Sequence, residues 1–165
     1  MPEGSFTSIL EIFAKHEADF IVVGGVSAVL NGAAVSTFDV DLVHSRQPGN
    51  LPRVLAALRE LDAWYRLRTD KKLVPNESHL RTTGHQLLTT VYGNLDVLGA
   101  IGDDLSLSYE DLLPHSSMID LGSVRVRTLN LDKYVELKEK LSRDKDRAAL
   151  PTLRAALAEK KRLGK

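Results

Sequence analysis

Asp39 and Asp41 stand either side of Val40, and Leu42 follows. In an extended strand, residues two apart point to the same face. The two carboxylates therefore project together, and Val40 and Leu42 turn into a core. Carboxylates held that close raise each other's pKa. A divalent cation such as Mg2+ or Mn2+ removes that penalty and takes the pair as hard oxygen ligands. Upstream, the apolar run Phe20 to Val23 stops at Gly24-Gly25, and thirteen residues separate Gly25 from Asp39. Paired glycines allow a tight bend and bring the N–H groups of a helix start close to an anion. A cation clamp beside a phosphate cradle suits phosphoryl or nucleotidyl transfer. Ser27 offers a hydroxyl two residues beyond the glycines, and Ser36 and Thr37 offer two more before the aspartates. A third carboxylate, Asp96, lies inside the apolar segment Gly93 to Leu98. A buried charge without a partner is costly, so Asp96 there calls for a cation.

The surrounding periodicities say which elements must hold these groups. Phe6, Ile9, Leu10, Phe13 and Ala14 recur at helical spacing between Ser5 and Ala18. Asp19 to Val23 is a short buried strand, Val26 to Ala33 a small helix ended near Gly32, and Ser36 to Val43 the strand bearing the aspartates. Gln47-Pro48-Gly49-Asn50 is loop chemistry, and Leu51, Val54, Leu55, Leu58 and Leu61 line one side of a helix. Trp64 to Leu67 is strand or loop, and Lys71 to Glu77 is irregular. His79 to Thr82 and Gln86 to Tyr92 read as strands. Leu95 to Leu98 reads as another, after a tight turn at Gly93-Asn94. That hairpin carries Asp96 into the sheet of Asp39 and Asp41.

Further on, Leu107 to Leu113 is a short helix stopped by Pro114. Ser116 to Asp120 and Ser123 to Leu129 form a second hairpin around Leu121-Gly122. Asn130 caps a helix to about Leu141, and the last helix starts at Asp144 or Asp146, with Pro151 near its beginning or at a kink. The expected fold is α/β (α+β): a mixed central sheet with helices on one side, and helices at the C-terminus. No repeat or low-complexity tract divides the chain. It reads as one domain over 1–165, with a core of about 6–129 and a helical segment of about 130–162.

The order apolar-Gly-Gly, a dozen residues, then Asp-x-Asp between apolar residues resembles the DNA polymerase β-like nucleotidyltransferase superfamily. Asp96 matches the third carboxylate its members take from a later strand. The segment Leu129-Asn-Leu-Asp-Lys-Tyr-Val-Glu-Leu-Lys138, followed by Ser142-Arg143-Asp144-Lys145-Asp146, is similar to the closing helices of small prokaryotic AbiEii toxin-like members. The resemblance spans roughly residues 6–157. It implies a nucleotidyltransferase fold and transfer of a nucleoside monophosphate from an NTP to a hydroxyl, with release of pyrophosphate. Read together with it, Asp39, Asp41 and Asp96 take metal and catalysis, and Gly24, Gly25, Ser27, Ser36 and Thr37 lie along the triphosphate; the resemblance itself supplies Lys138 as a catalytic cation at the nucleotide. Arg143 and Asp146 join the nucleotide-binding set; as plain residues they read equally as salt bridges between the last two helices. The acceptors it implies are a tRNA 3′ end or a protein side chain, in a toxin with a cognate antitoxin. An aminoglycoside-type small molecule and a non-catalytic nucleotide-binding module are the alternatives. A plain structural domain would bind no nucleotide.

Composition narrows the field. The chain has 165 residues, 43% of them hydrophobic, enough for a core without staples. It has no cysteine, which removes disulfides, thiolate metal sites and cysteine nucleophiles and agrees with a cytoplasmic setting. No apolar run approaches the ~20 residues of a membrane helix, and the start Met-Pro-Glu-Gly-Ser lacks signal-peptide character. None of the five histidines has zinc-ligand spacing, although His44 stands close enough after Asp41 to reach a site rim. P-loop and Gly-x-Ser-x-Gly patterns are absent. Aromatic residues make up 5%, too few for stacking platforms on single strands. Net charge is zero, yet residues 138–165 hold ten Lys/Arg against four Asp/Glu, a bias that attracts polyanions. So short a chain leaves little room for an acceptor domain, which points to a partner chain or a dimer.

Overall fold

The computed structural model describes residues 5–37, 39–68, 70–141 and 144–164, without the side chains of Ser5 and Lys145. Seven strands form one mixed sheet in the order β3-β4-β5-β2-β1-β7-β6. They are β1 (Phe20–Val23), β2 (Val40–His44), β3 (Trp64–Tyr65), β4 (His85–Thr90), β5 (Gly93–Leu98), β6 (Ser116–Asp120) and β7 (Arg125–Leu129). The helices are α1 (Ser5–Lys15), α2 (Gly24–Leu30), α3 (Leu51–Glu60), α4 (Glu77–Leu80), α5 (Tyr109–Leu112), α6 (Leu131–Leu141) and α7 (Asp144–Arg162). Pairing is parallel between β1 and β7 and between β2 and β5, and antiparallel elsewhere.

Alternation along the central strands sorts the core. Phe20, Val22, Val40, Leu42, Leu95, Val97 and Val126 turn to one face, where α1 and α3 bury Ile9, Leu10, Phe13, Val54 and Leu58 against them. Each such side chain removed from water contributes roughly 1.5–3 kcal/mol. Ile21, Val23, Val43, Leu98 and Leu129 turn the other way, onto Leu112 of α5 and Leu137 of α6. Helices therefore cover both faces, not one. The second covering follows from the apolar stripe of α6, which has Leu131, Val135 and Leu137 to bury. A third cluster joins Ala28 of α2 to Leu131 and Val135 of α6 and Leu150 and Leu153 of α7. Pro151 sits inside α7, about two turns from its first residue.

Several boundaries differ from the expectation. The strand of the aspartates starts at Val40, so Asp39 lies in the bend before it. Glu77–Leu80 is a helical turn, not a strand, because Asn76 caps it: its side chain accepts from His79 N–H, and the His79 ring receives Asn76 N–H. The β4–β5 hairpin turns at Val91-Tyr92, with Thr90 paired to Gly93. Gly93, at φ 120°, starts the returning strand.

At the end of the sheet away from the aspartates, Asn50 ties two strands together. Its side chain accepts from Asp19 N–H at 2.7 Å and donates to Asp19 O at 3.0 Å and Ser45 O at 2.8 Å. His44 is buried here, 1% exposed, with Nδ1 3.0 Å from Ser45 O. It reaches neither the site rim nor the surface, and burial holds its pKa below the usual histidine value. Asn50→Ala strands buried backbone groups and is expected to cost roughly 2–3 kcal/mol in urea unfolding; a loss below about 0.5 kcal/mol would contradict this role.

Candidate active site

One row across the sheet assembles the site. Asp41 of β2 pairs with Val23 of β1 on one side and with Asp96 of β5 on the other, and Asp96 pairs with Leu87 of β4. Parallel strands in register put paired side chains on the same face, so the two carboxylates stand side by side. The row continues through backbone: Arg66 N–H donates to Leu87 O at 3.2 Å. From there the Arg66 side chain reaches back over β4. Nη1 donates to Leu88 O at 2.8 Å and to Asp96 Oδ1 at 2.7 Å, and Nη2 lies 3.8 Å from Asp39 Oδ2. Arg66 thus links the third acid to Asp39.

Gly24 follows Val23, so it abuts Asp41. It starts α2 at φ 65°, and a Cβ there would collide with the Asp41 carboxylate. A Cβ on Gly25 would meet Thr37 Oγ1 at 2.7 Å. The glycine pair is required by two packed side chains as well as by any anion. Thr37 Oγ1 in turn donates to Asp39 O at 3.2 Å and steadies the bend, while Ser36 is exposed. Ser27 is turned inward: fully buried, it donates to Gly24 O at 2.6 Å. It stabilises the bend, and its hydroxyl, expected on the triphosphate, is turned onto this carbonyl.

Asp41 is the electrostatic centre. Its pKa is pushed up to about 7, first by burial and then by Asp96, which acts on it as a neighbouring charge and hydrogen-bond partner; Asp39 adds to this and Arg66 opposes it. The main repulsion thus comes from Asp96 on the next strand, rather than from Asp39 in the Asp-x-Asp pair. Among the described residues, no three Asp, Glu or His side chains already stand as a closed metal cage. The donor chemistry nevertheless fits a hard divalent ion. Carboxylate oxygens converge, burial makes their charge costly, and the structure already meets that charge with a guanidinium.

Beyond Asp41 a cleft of about 240 Å³ opens between the sheet and α6. Val23, Gly24, Leu98 and Leu129 form its floor, Tyr134, Leu137 and Lys138 one wall, and His85 and Ile101 to Asp103 the other. Lys138 Nζ sits 5.3 Å from the centre of the Tyr134 ring and donates to Asp146 Oδ1 at 2.8 Å. Asp146 is fully buried. It holds the lysine at the cleft and ties α7 to α6 but does not face the cleft itself. Arg143 lies outside the described residues. Arg66, Tyr134 and His85 escaped sequence reasoning; the one available signal was a lone arginine in the strand-like run Trp64 to Leu67.

Because the folded pKa of Asp41 lies above its ordinary value of 3.8, the folded protein keeps a proton that the unfolded chain releases. Stability is therefore lost as pH rises through the window from about 4 to about 7. Asp41→Asn is expected to melt about 5 °C above the parent at pH 8 and close to it at pH 4. Equal melting at pH 8 would contradict the charge crowding. Gly24→Ala, strained and colliding with Asp41, is expected to lose roughly 2 kcal/mol or more; a smaller loss when the same change is made in an Asp41→Ala background, measured against Asp41→Ala alone, would place the collision at the carboxylate and leave the backbone strain as the remainder.

No family model and no curated protein matches the sequence. Solved structures do match. TM1012 of Thermotoga maritima, assigned as a nucleotidyltransferase, aligns over 96% of both chains with a TM-score of 0.60 and 16% identity. The lincosamide antibiotic adenylyltransferase LnuA, in its lincomycin-bound form, aligns over 94% of this chain and 98% of its own with a TM-score of 0.64 and 14% identity. With its mixed sheet flanked by helices, the chain has the nucleotidyltransferase fold.

Proposed function

We propose that the protein is a metal-dependent nucleotidyltransferase that moves a nucleoside monophosphate from an NTP to a hydroxyl acceptor. The pairing of Asp41 with Asp96 beside the Gly24 bend carries this reading. Asp39, Asp41 and Asp96 would hold Mg2+ or Mn2+, which supplies positive charge to the polyphosphate and the attacking hydroxyl when bound. The acceptor oxygen attacks the α-phosphorus, the new P–O bond forms as the α–β bridge breaks, and pyrophosphate leaves. Asp96 accepts the proton of the attacking hydroxyl. The Gly24-Gly25 bend would run along the triphosphate, with Ser36 and Thr37 at its edge. Lys138, oriented by Asp146, neutralises charge from the opposite wall. Most of the catalysis is position and charge placement.

The small, mainly apolar cleft next to Asp41 supports a compact hydroxylated acceptor. LnuA, a lincosamide antibiotic adenylyltransferase, has almost the same extent as this chain, which supports an acceptor of that compact class. The basic bias of residues 138–165 supports a second reading, the tRNA 3′ end of an AbiEii-like toxin. No helix among the described residues is long and apolar enough to cross a membrane.

Labelled NTPs with Mg2+, offered in turn with total RNA, cell protein and hydroxylated antibiotics, test the proposal. Label transfer with pyrophosphate release is expected for one acceptor class. Asp41→Asn and Asp96→Asn are each expected to cut the rate at least about 100-fold. Transfer unchanged in both variants would refute the assignment.

A further inference from the structure

Arg66 already sets its charge against acids that would hold a cation. It holds Asp96 Oδ1 at 2.7 Å and approaches Asp39 Oδ2 at 3.8 Å, so it touches two of the three acids. Its side chain is only 20% exposed and that of Asp96 16%, so this ion pair is shielded from solvent screening. A divalent ion on Asp96 would place a second positive charge against the guanidinium, with little water between them. Both cannot keep the same carboxylate at full strength.

The surroundings let the arginine yield. Its backbone N–H is fixed to Leu87 O, and Nη1 also rests on Leu88 O. That carbonyl remains as a pivot if the carboxylates are given up. Arg66 and Leu67 form a turn at the end of the edge strand β3, and Leu67 is 72% exposed, so the arginine springs from the rim of the sheet and not from its centre. The guanidinium has five donors in a planar fork that matches phosphate oxygens.

Resting on the metal-dependent reading above, we propose that Arg66 is a resident counter-cation: it neutralises Asp96 and Asp39 when no metal is bound, yields them to the divalent ion, and turns to the nucleotide's phosphates. It keeps three crowded acids folded without metal and makes the site accept metal and nucleotide together in preference to metal alone. Arg66 is a positioning residue when no metal is bound and a phosphate ligand in the loaded protein.

Mn2+ binding measured by calorimetry without nucleotide separates this from a purely structural arginine. Arg66→Met is expected to bind Mn2+ about tenfold more tightly than the parent, and to bind a non-hydrolysable NTP with Mn2+ about tenfold more weakly. Arg66→Lys keeps the charge without the fork and is expected to bind Mn2+ as the parent does and the NTP more weakly. Mn2+ affinity in Arg66→Met equal to or below the parent's would overturn the proposal. If Arg66→Met does not fold, Arg66→Gln takes its place with the same expectation. Asp96→Asn distinguishes the two levels. If it binds Mn2+ as well as the parent, the metal site itself is wrong. If it loses Mn2+ while the Arg66 variants show no gain, only the arginine's role falls.

Discussion

Two carboxylates on neighbouring parallel strands, at paired positions and on one face, repel each other in a half-dry setting. The rest of the site is arranged around that repulsion. Burial and the second carboxyl raise the pKa of Asp41 to about 7. Arg66 reaches across β4 to put positive charge on Asp96. Gly24 has no side chain because the Asp41 carboxyl occupies the space one would need. An arrangement that costs stability is retained where it does chemistry. A site for a polyphosphate and a hard cation is the use we propose for its parts.

The sheet order explains how distant segments meet. β2 is central, with β1 antiparallel on one side and β5 parallel on the other. This brings the Gly24 bend, Asp41 and Asp96 into one row, and Arg66 joins through the backbone at Leu87. Packing of α6 on the same face then supplies Tyr134, Leu137 and Lys138 as the far wall of the cleft. Lys138 is held by Asp146 from α7, so the last two helices belong to the architecture of the site. Neighbours of the same fold cover nearly the whole chain, the C-terminal helices included.

Much of this was legible in the residues. Alternation gave away the core strands, and the glycine pair with three acids in apolar settings pointed to groups that the sheet does bring together. What escaped depended on tertiary contacts. His79 reads as a strand residue until Asn76 caps it into a helix. The hairpin turn was placed two residues late because Gly93-Asn94 has strong turn chemistry, yet the pairing closes at Val91-Tyr92. His44 looked available to the site but lies buried at the other end of its short strand. Ser27 has the right residue type and spacing for phosphate, but its hydroxyl is spent on Gly24 O. Arg66 could not be assigned because only the register of β3 and β4 brings it to Asp96. The second covered face became visible once α5 and α6 were packed.

Anomalous diffraction from crystals grown with Mn2+ and a non-hydrolysable NTP addresses the claim at its root. A manganese peak within coordination distance of both Asp41 and Asp96, with the phosphates running along the Gly24 bend, is the expected result. A peak elsewhere, with the two carboxyls still facing each other and Arg66 still on Asp96, would contradict the account.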